Sequence, residues 1–184
     1  SDVLDYRRKR ADPKSKSCSV IFPDRLLIIN REVNSMIENV LGPVVNKSTR
    51  VLIVGSMPGQ QSLEKQQYYG NPRNHFWPIM SELLEQCAPE NYTERLNWLQ
   101  QHGIGLWDTI KYCEREGSLD AAIRNEVPND FETLLAQYPA IECVLFNGGK
   151  AEQVFKKRIG LNVLTGRHFY KMPSTSPIPG KNIK

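Results

Sequence analysis

A glycine-bracketed turn, two adjacent tyrosines, an asparagine and a strand-terminal aspartate are the residues of this sequence that could share one reaction centre. The turn is Gly55-Ser56-Met57-Pro58-Gly59, and the same stretch runs on through Tyr68, Tyr69 and Asn74 to Trp77. An apolar run that halts at glycines delivers backbone amides to the carboxyl edge of a sheet, where open α/β folds hold their ligands. Farther along, Asp108 closes a second apolar run, and Ser174, Thr175 and Ser176 follow the last one. Amides, hydroxyls, one carboxylate and aromatic rings suit recognition of a flat heterocycle. A ring face stacks on it, while Asn, Asp and backbone groups read its edge. Each residue also has a plainer use: Tyr68 and Tyr69 as core packing, Asn74 as a turn or cap residue, and Asp108 as a helix cap or ion-pair partner.

Other chemistries lack their residues. GSMPGQQS has no Gly-Lys-Ser/Thr of a P-loop, and neither GxGxxG nor the zinc deaminase pattern occurs. His75, His102 and His168 are dispersed, and no Ser-His-Asp order can be assembled. The four cysteines, Cys18, Cys87, Cys113 and Cys143, form no CxxC pair, so reduced thiols are expected and neither a metal nor another cofactor.

The elements that must position these groups follow from apolar spacing. Residues 1–19 carry Arg7, Arg8, Lys9, Arg10, Lys14 and Lys16 with little to bury, and read as a loose basic tail. From Asp24 to Leu41 the positions Leu26, Leu27, Val33, Met36, Ile37, Val40 and Leu41 recur at helical spacing, which predicts a packing helix ended by Gly42-Pro43. Short apolar runs at 50–54, 104–108, 142–147 and 167–172 predict strands. Between them, helices are expected from Pro78, over 92–101, from Asn129 or Asp130 to Pro139, and over 151–159. The segment between Asp108 and Asn129 reads as a polar connection. Strands alternating with helices predict a three-layer α/β/α fold around a four-stranded parallel sheet, with residues 1–49 as tail and helix and 50–184 as the catalytic domain. Such a sheet puts Gly55, Asp108, Asn147 and Ser174 on one edge.

At 184 residues and 40% hydrophobic, the chain can bury one real core. Its 24 Lys plus Arg exceed 20 Asp plus Glu, a formal charge of +4 and a pI near 8.9 that suit an anionic partner. Nothing approaches the ~20 apolar residues of a membrane span, and no signal peptide is visible, so an intracellular protein without membrane contact is expected.

GSMPG, SLEKQQYYGNPRNHFW, GIGLWDTIKYCEREGSLD, VLFNGGKAEQVF and MPSTSP occur in that order. Together they resemble the uracil-DNA glycosylase superfamily, and within it the hypoxanthine-DNA (deoxyinosine) glycosylase branch. The resemblance covers roughly Arg50 to Pro177. It implies a monofunctional DNA glycosylase that flips a deaminated base out of duplex DNA, acts as a monomer, and resides in the cytoplasm with the nucleoid or in the nucleus. A mismatch-type uracil glycosylase, an inactive nucleic-acid-binding module and a hydrolase of free nucleotides are the rivals.

Position by position, the resemblance puts Gly55, Ser56 and Met57 in the first motif beside the base. Met57 stands where many relatives keep a polar residue that places the water. It implies that Asn74 holds the water instead, that Tyr69 stacks on the flipped base, and that Asp108 lies near the position that reads the base edge. Ser174, Thr175 and Ser176 match the second motif and would bind phosphate, with Ile178 as the wedge that fills the gap in the duplex. Relatives often have a histidine where this chain has Met172, so no catalytic histidine is expected there.

Overall fold

A computed structural model describes residues 36–177. The basic tail, most of the 24–41 helix and Ile178 lie outside the described residues. In chain order the elements are β1 (Ile37–Glu38), β2 (Val51–Gly55), α1 (Gln60–Lys65), α2 (Phe76–Leu83), α3 (Tyr92–Gln101), β3 (Ile104–Asp108), β4 (Ile110–Glu114), β5 (Arg124–Pro128), α4 (Phe131–Gln137), β6 (Cys143–Asn147), α5 (Gly149–Arg158) and β7 (His168–Met172).

The predicted four-stranded parallel sheet is present, in the order β3-β2-β6-β7. Alternating side chains send the strands' apolar residues to opposite faces. On one face Leu52, Val54, Trp107, Val144 and Phe146 pack with Phe131 and Leu134 of α4 and Phe155 of α5. On the other, Ile53 and Leu106 pack with Phe76, Trp77 and Met80 of α2 and Trp98 and Leu99 of α3. These are the three layers. Register aligns the carboxyl ends: Gly55 pairs with Asp108, and Asn147 with Met172.

Two expectations fail. Residues 36–41 are not helical: Ile37 and Glu38 pair antiparallel with Cys113 and Tyr112 of β4. The apolar spacing there does not mark a buried helix face, since Met36 and Val40 are 44% and 54% exposed, while Leu41 is buried and Ile37 packs against a different cluster. The connection after Asp108 is also more than polar loop. It holds β4 and β5, which with β1 make a second, antiparallel sheet in the order β1-β4-β5. A third apolar cluster (Met57, Ile110, Cys113, Ile123 and Val154) joins that sheet to the GSMPG turn and α5.

Candidate active site

Gly55 ends β2 between the ends of β3 and β6, so its bare Cα separates Asp108 from Asn147. A Cβ on Gly55 would collide with Asp108 Oδ1, which is why this strand must end in glycine. Asp108 is 5% exposed. Its Oδ2 accepts from Asn39 Nδ2 at 3.0 Å, and the same amide nitrogen donates to Ile110 O at 3.2 Å. Asn39 Oδ1 accepts in turn from Leu41 N–H at 3.0 Å, which fixes which end of the amide faces the carboxyl group. Burial pushes the Asp108 carboxyl up to about 7, and Asp120 adds to the rise, while the Asn39 hydrogen bond and the Arg115 guanidinium oppose it.

Across the glycine, Asn147 is satisfied at both ends of its amide. Its Nδ2 donates to Tyr69 Oη at 3.1 Å and to Thr175 Oγ1 at 3.0 Å, and its Oδ1 accepts from Thr175 N–H at 3.0 Å. His75 N–H donates to Thr175 O at 3.0 Å. Four separate segments, carrying Tyr69, Asn74-His75, Asn147 and Thr175, are thereby held in one network, each bond contributing about 1 kcal/mol net.

Tyr69 is held in the left-handed region at φ 54°, a conformation rare for a bulky residue. Its ring stacks on Phe76 with centroids 3.7 Å apart and planes 13° apart, and Trp77 meets its edge. One face is therefore covered by Phe76. Burial, then the Asp108 charge, raise the Tyr69 phenol well above its ordinary range, the Asn147 hydrogen bond opposing them, so Tyr69 stays neutral. Tyr68 is a core residue instead: it is buried, and its hydroxyl donates to Gly42 O at 2.8 Å.

Asn74 precedes α2, and its Oδ1 accepts from Phe76 N–H at 2.9 Å. The cap and the chemical use of this residue are thus compatible. Fixing Oδ1 holds the amide still, and its second lone pair and NH2 remain to orient a water.

The GSMPG turn is scaffold in its side chains. Met57 is buried in the third apolar cluster, and Ser56 Oγ donates to Asp120 Oδ1 at 2.8 Å. What Gly55, Ser56 and Met57 can offer a base is their backbone. A collar from Arg115 to Asp120 grips this turn from outside. Arg115 Nη2 donates to Pro58 O at 2.6 Å, and Ser118 Oγ caps α1 by accepting from Gln60 N–H at 2.9 Å. Buried Arg115 Nε and Nη1 find no acceptor among the described residues, and burial lowers the guanidinium pKa. Ser174 and Ser176 are exposed on the second-motif loop, with Ser176 N–H donating to Ser174 Oγ at 3.2 Å.

Cavities of about 290 and 310 Å³ are lined by residues such as Glu132 and Arg167, and Arg124 and Lys157, and neither includes Gly55, Asp108, Asn147 or Thr175. Convergent polar groups, an aromatic face and a displaced carboxyl pKa instead mark the sheet edge. Among the described residues no cluster of His, Cys, Asp or Glu could hold a metal ion.

Sequence reasoning placed Gly55, Tyr69, Asn74, Asp108 and Thr175 around this edge. It missed Asn39, which lay inside a supposed helix, and gave Asn147 only as a strand end. The Asn-Gly-Gly after an apolar run was the available signal for the latter.

The uracil DNA glycosylase superfamily model matches residues 43–182. The chain belongs to that superfamily. Two Methanosarcina relatives carry the name hypoxanthine DNA glycosylase. The M. barkeri protein is 43% identical over 110 residues, 59% of this chain and 70% of the relative. The M. acetivorans protein is 41% identical over 117 residues, 63% and 74% of the two chains. A solution NMR structure from M. acetivorans, described as a uracil DNA glycosylase, superposes with a TM-score of 0.66 at 36% identity, over 74% of this chain and 83% of that one.

Proposed function

We propose that this protein excises hypoxanthine from DNA, hydrolysing the N-glycosidic bond of deoxyinosine after flipping the nucleotide out of the duplex. The observation that supports this is that Asp108 and Asn147 close the strands on either side of Gly55, with Asn147 bonded to Tyr69 and Thr175, in a superfamily member more than 40% identical to two proteins named hypoxanthine DNA glycosylase. In this reading the flipped base stacks on the face of Tyr69 away from Phe76, with Gly55 leaving it room and Asp108 and Asn147 at its edge. Asn74 holds the attacking water. An amide is too weak a base to make hydroxide, so most of the rate comes from stabilising the leaving base and the oxocarbenium-like sugar. Ser174, Thr175 and Ser176 grip phosphates of a duplex bound by a monomer. No helix among the described residues is long and apolar enough to cross a membrane.

Duplexes carrying deoxyinosine, deoxyuridine or deoxyxanthosine, incubated with the protein and then treated with alkali, test this directly. Strand breaks at deoxyinosine are expected. Breaks at uracil alone would replace hypoxanthine as the substrate, and none under single-turnover conditions would make the protein a binding module.

A further inference from the structure

Asp108 is placed as if to meet the base, yet an ionised carboxylate there would oppose the reaction. Cleavage leaves the N9–C1′ electron pair on the purine, and the acceptors of that purine's outer edge, N7 and O6, repel an anion. The local geometry removes the conflict. Asn39 cannot turn its amide over, because Leu41 N–H holds its Oδ1 at 3.0 Å. Its NH2 must therefore face Asp108, and Asp108 Oδ2 accepts at 3.0 Å. A proton on this carboxyl consequently belongs on the other oxygen, Oδ1. Oδ1 occupies the space over Gly55 that any larger residue would fill, at the carboxyl end of β2.

We propose that Asp108 is a neutral general acid, passing the proton on Oδ1 to N7 of the departing purine as the N9–C1′ bond breaks. The inference rests on the purine-excising function proposed above. The bond's electron pair enters the imidazole ring, N7 takes the proton, and hypoxanthine leaves as a neutral molecule. The water held by Asn74 attacks C1′ and gives its own proton to solvent, from which Asp108 is recharged. Positive charge builds on the sugar without negative charge building on the base.

The surroundings keep Asp108 protonated near neutrality. Asp120, in the turn before β5, adds negative potential, and Arg115, just after β4, offsets part of it. Tyr68, Tyr69 and Tyr92, on the opposite side, are all raised above the ordinary phenol value by burial first, with the Asp108 charge contributing, and carry no charge of their own in the working range. Burial is the largest influence on Asp108, and it carries the carboxyl up to about 7.

Single-turnover excision from deoxyinosine, 7-deaza-deoxyinosine and deoxyuridine duplexes between pH 5.5 and 9 tests the assignment. Wild-type excision of hypoxanthine should fall as pH rises through about 7, approaching tenfold per unit above it. Asp108→Asn keeps the shape and the contact with Asn39 but cannot transfer a proton. It should cut the deoxyinosine rate by about 10²–10⁴-fold and abolish this pH limb. The 7-deaza duplex should bind but resist cleavage. Asn39→Leu removes a hydrogen bond that favours the charged carboxylate, so its limb should move to higher pH; a merely structural Asn39 would lower the rate without moving the limb. A wild-type rate that is flat or rising through pH 7, a fully active Asp108→Asn, or rapid cleavage of the 7-deaza substrate would overturn the acid while leaving the substrate assignment intact. Release of uracil but no hypoxanthine at any pH would overturn the substrate assignment and the acid with it.

Discussion

At Asp108 the local chemistry costs stability, and the sign can be worked out. The folded carboxyl, raised by burial to about 7, binds its proton more tightly than the unfolded chain does near 3.8. Its contribution to folding is therefore complete below about 3.8 and is lost as pH rises through about 7. Asp108→Asn should accordingly gain on wild type between pH 5 and 8, by up to roughly 3 kcal/mol in urea unfolding. The same gap at both pH values would mean that the carboxyl ionises freely in the folded protein. Asn74→Ala separates the two uses of that residue. Losing the cap to Phe76 should cost roughly 1 kcal/mol in stability, whereas losing the water's anchor should slow single-turnover excision by about 10²–10³-fold with duplex affinity nearly unchanged. A fall in rate no larger than the stability loss explains would leave Asn74 as a cap alone.

At the level of elements, the second sheet is tied to the catalytic layer by Glu126. This β5 residue accepts from Lys150 Nζ at 2.9 Å and Arg158 Nη2 at 3.1 Å, both on α5. Burial acts to raise the Glu126 carboxyl, but the hydrogen bonds from Lys150 and Arg158 outweigh it and hold it down at about 2. A depressed carboxylate stabilises the fold above its unfolded value near 4.5 and loses that contribution as pH falls toward about 2. Glu126→Gln should therefore be less stable than wild type at pH 7 and converge with it below pH 3, read from thermal unfolding. A constant difference would show that packing, not charge, is what Glu126 supplies. The four parallel strands were legible because each is a short, nearly continuous apolar run, as a strand covered on both faces must be. β4 and β5 were not: Lys111 and Arg124-Asn125 lie exposed, their burial is partial, and their pairing contains register shifts that break simple alternation. Asn39 escaped for a related reason, since a local apolar pattern cannot reveal a hydrogen bond made 69 residues away. Tyr69 and Asn74 were singled out by motif order, not periodicity.

For the whole molecule, the proposed function divides recognition between a nearly neutral base site and a surface that holds a polyanion. The cavities of about 290 and 310 Å³ both lie away from the sheet edge, and the groups proposed to act there would read one base rather than a stretch of backbone. Under the proposed function, affinity for duplex is supplied by phosphate contacts of the second-motif loop and of the chain's excess of basic residues, a formal +4. Neutralising roughly three to five phosphates predicts a slope near −3 to −4.5 in log affinity against log salt, so raising salt fourfold should weaken binding by about 10²-fold. Asn74→Ala is the right form for this titration, because it should bind without turning over. Base recognition should be largely additive to that slope: deoxyinosine and ordinary duplexes should give parallel lines, offset by the contacts to Tyr69, Asp108 and Asn147. Single-turnover cleavage at saturating protein should meanwhile change little with salt, since the reacting groups are shielded from it. A shallow slope combined with efficient hydrolysis of free deoxyinosine would identify a nucleoside hydrolase, in which the sheet edge alone provides the binding and the loop of Ser174 to Ser176 has no phosphate to hold.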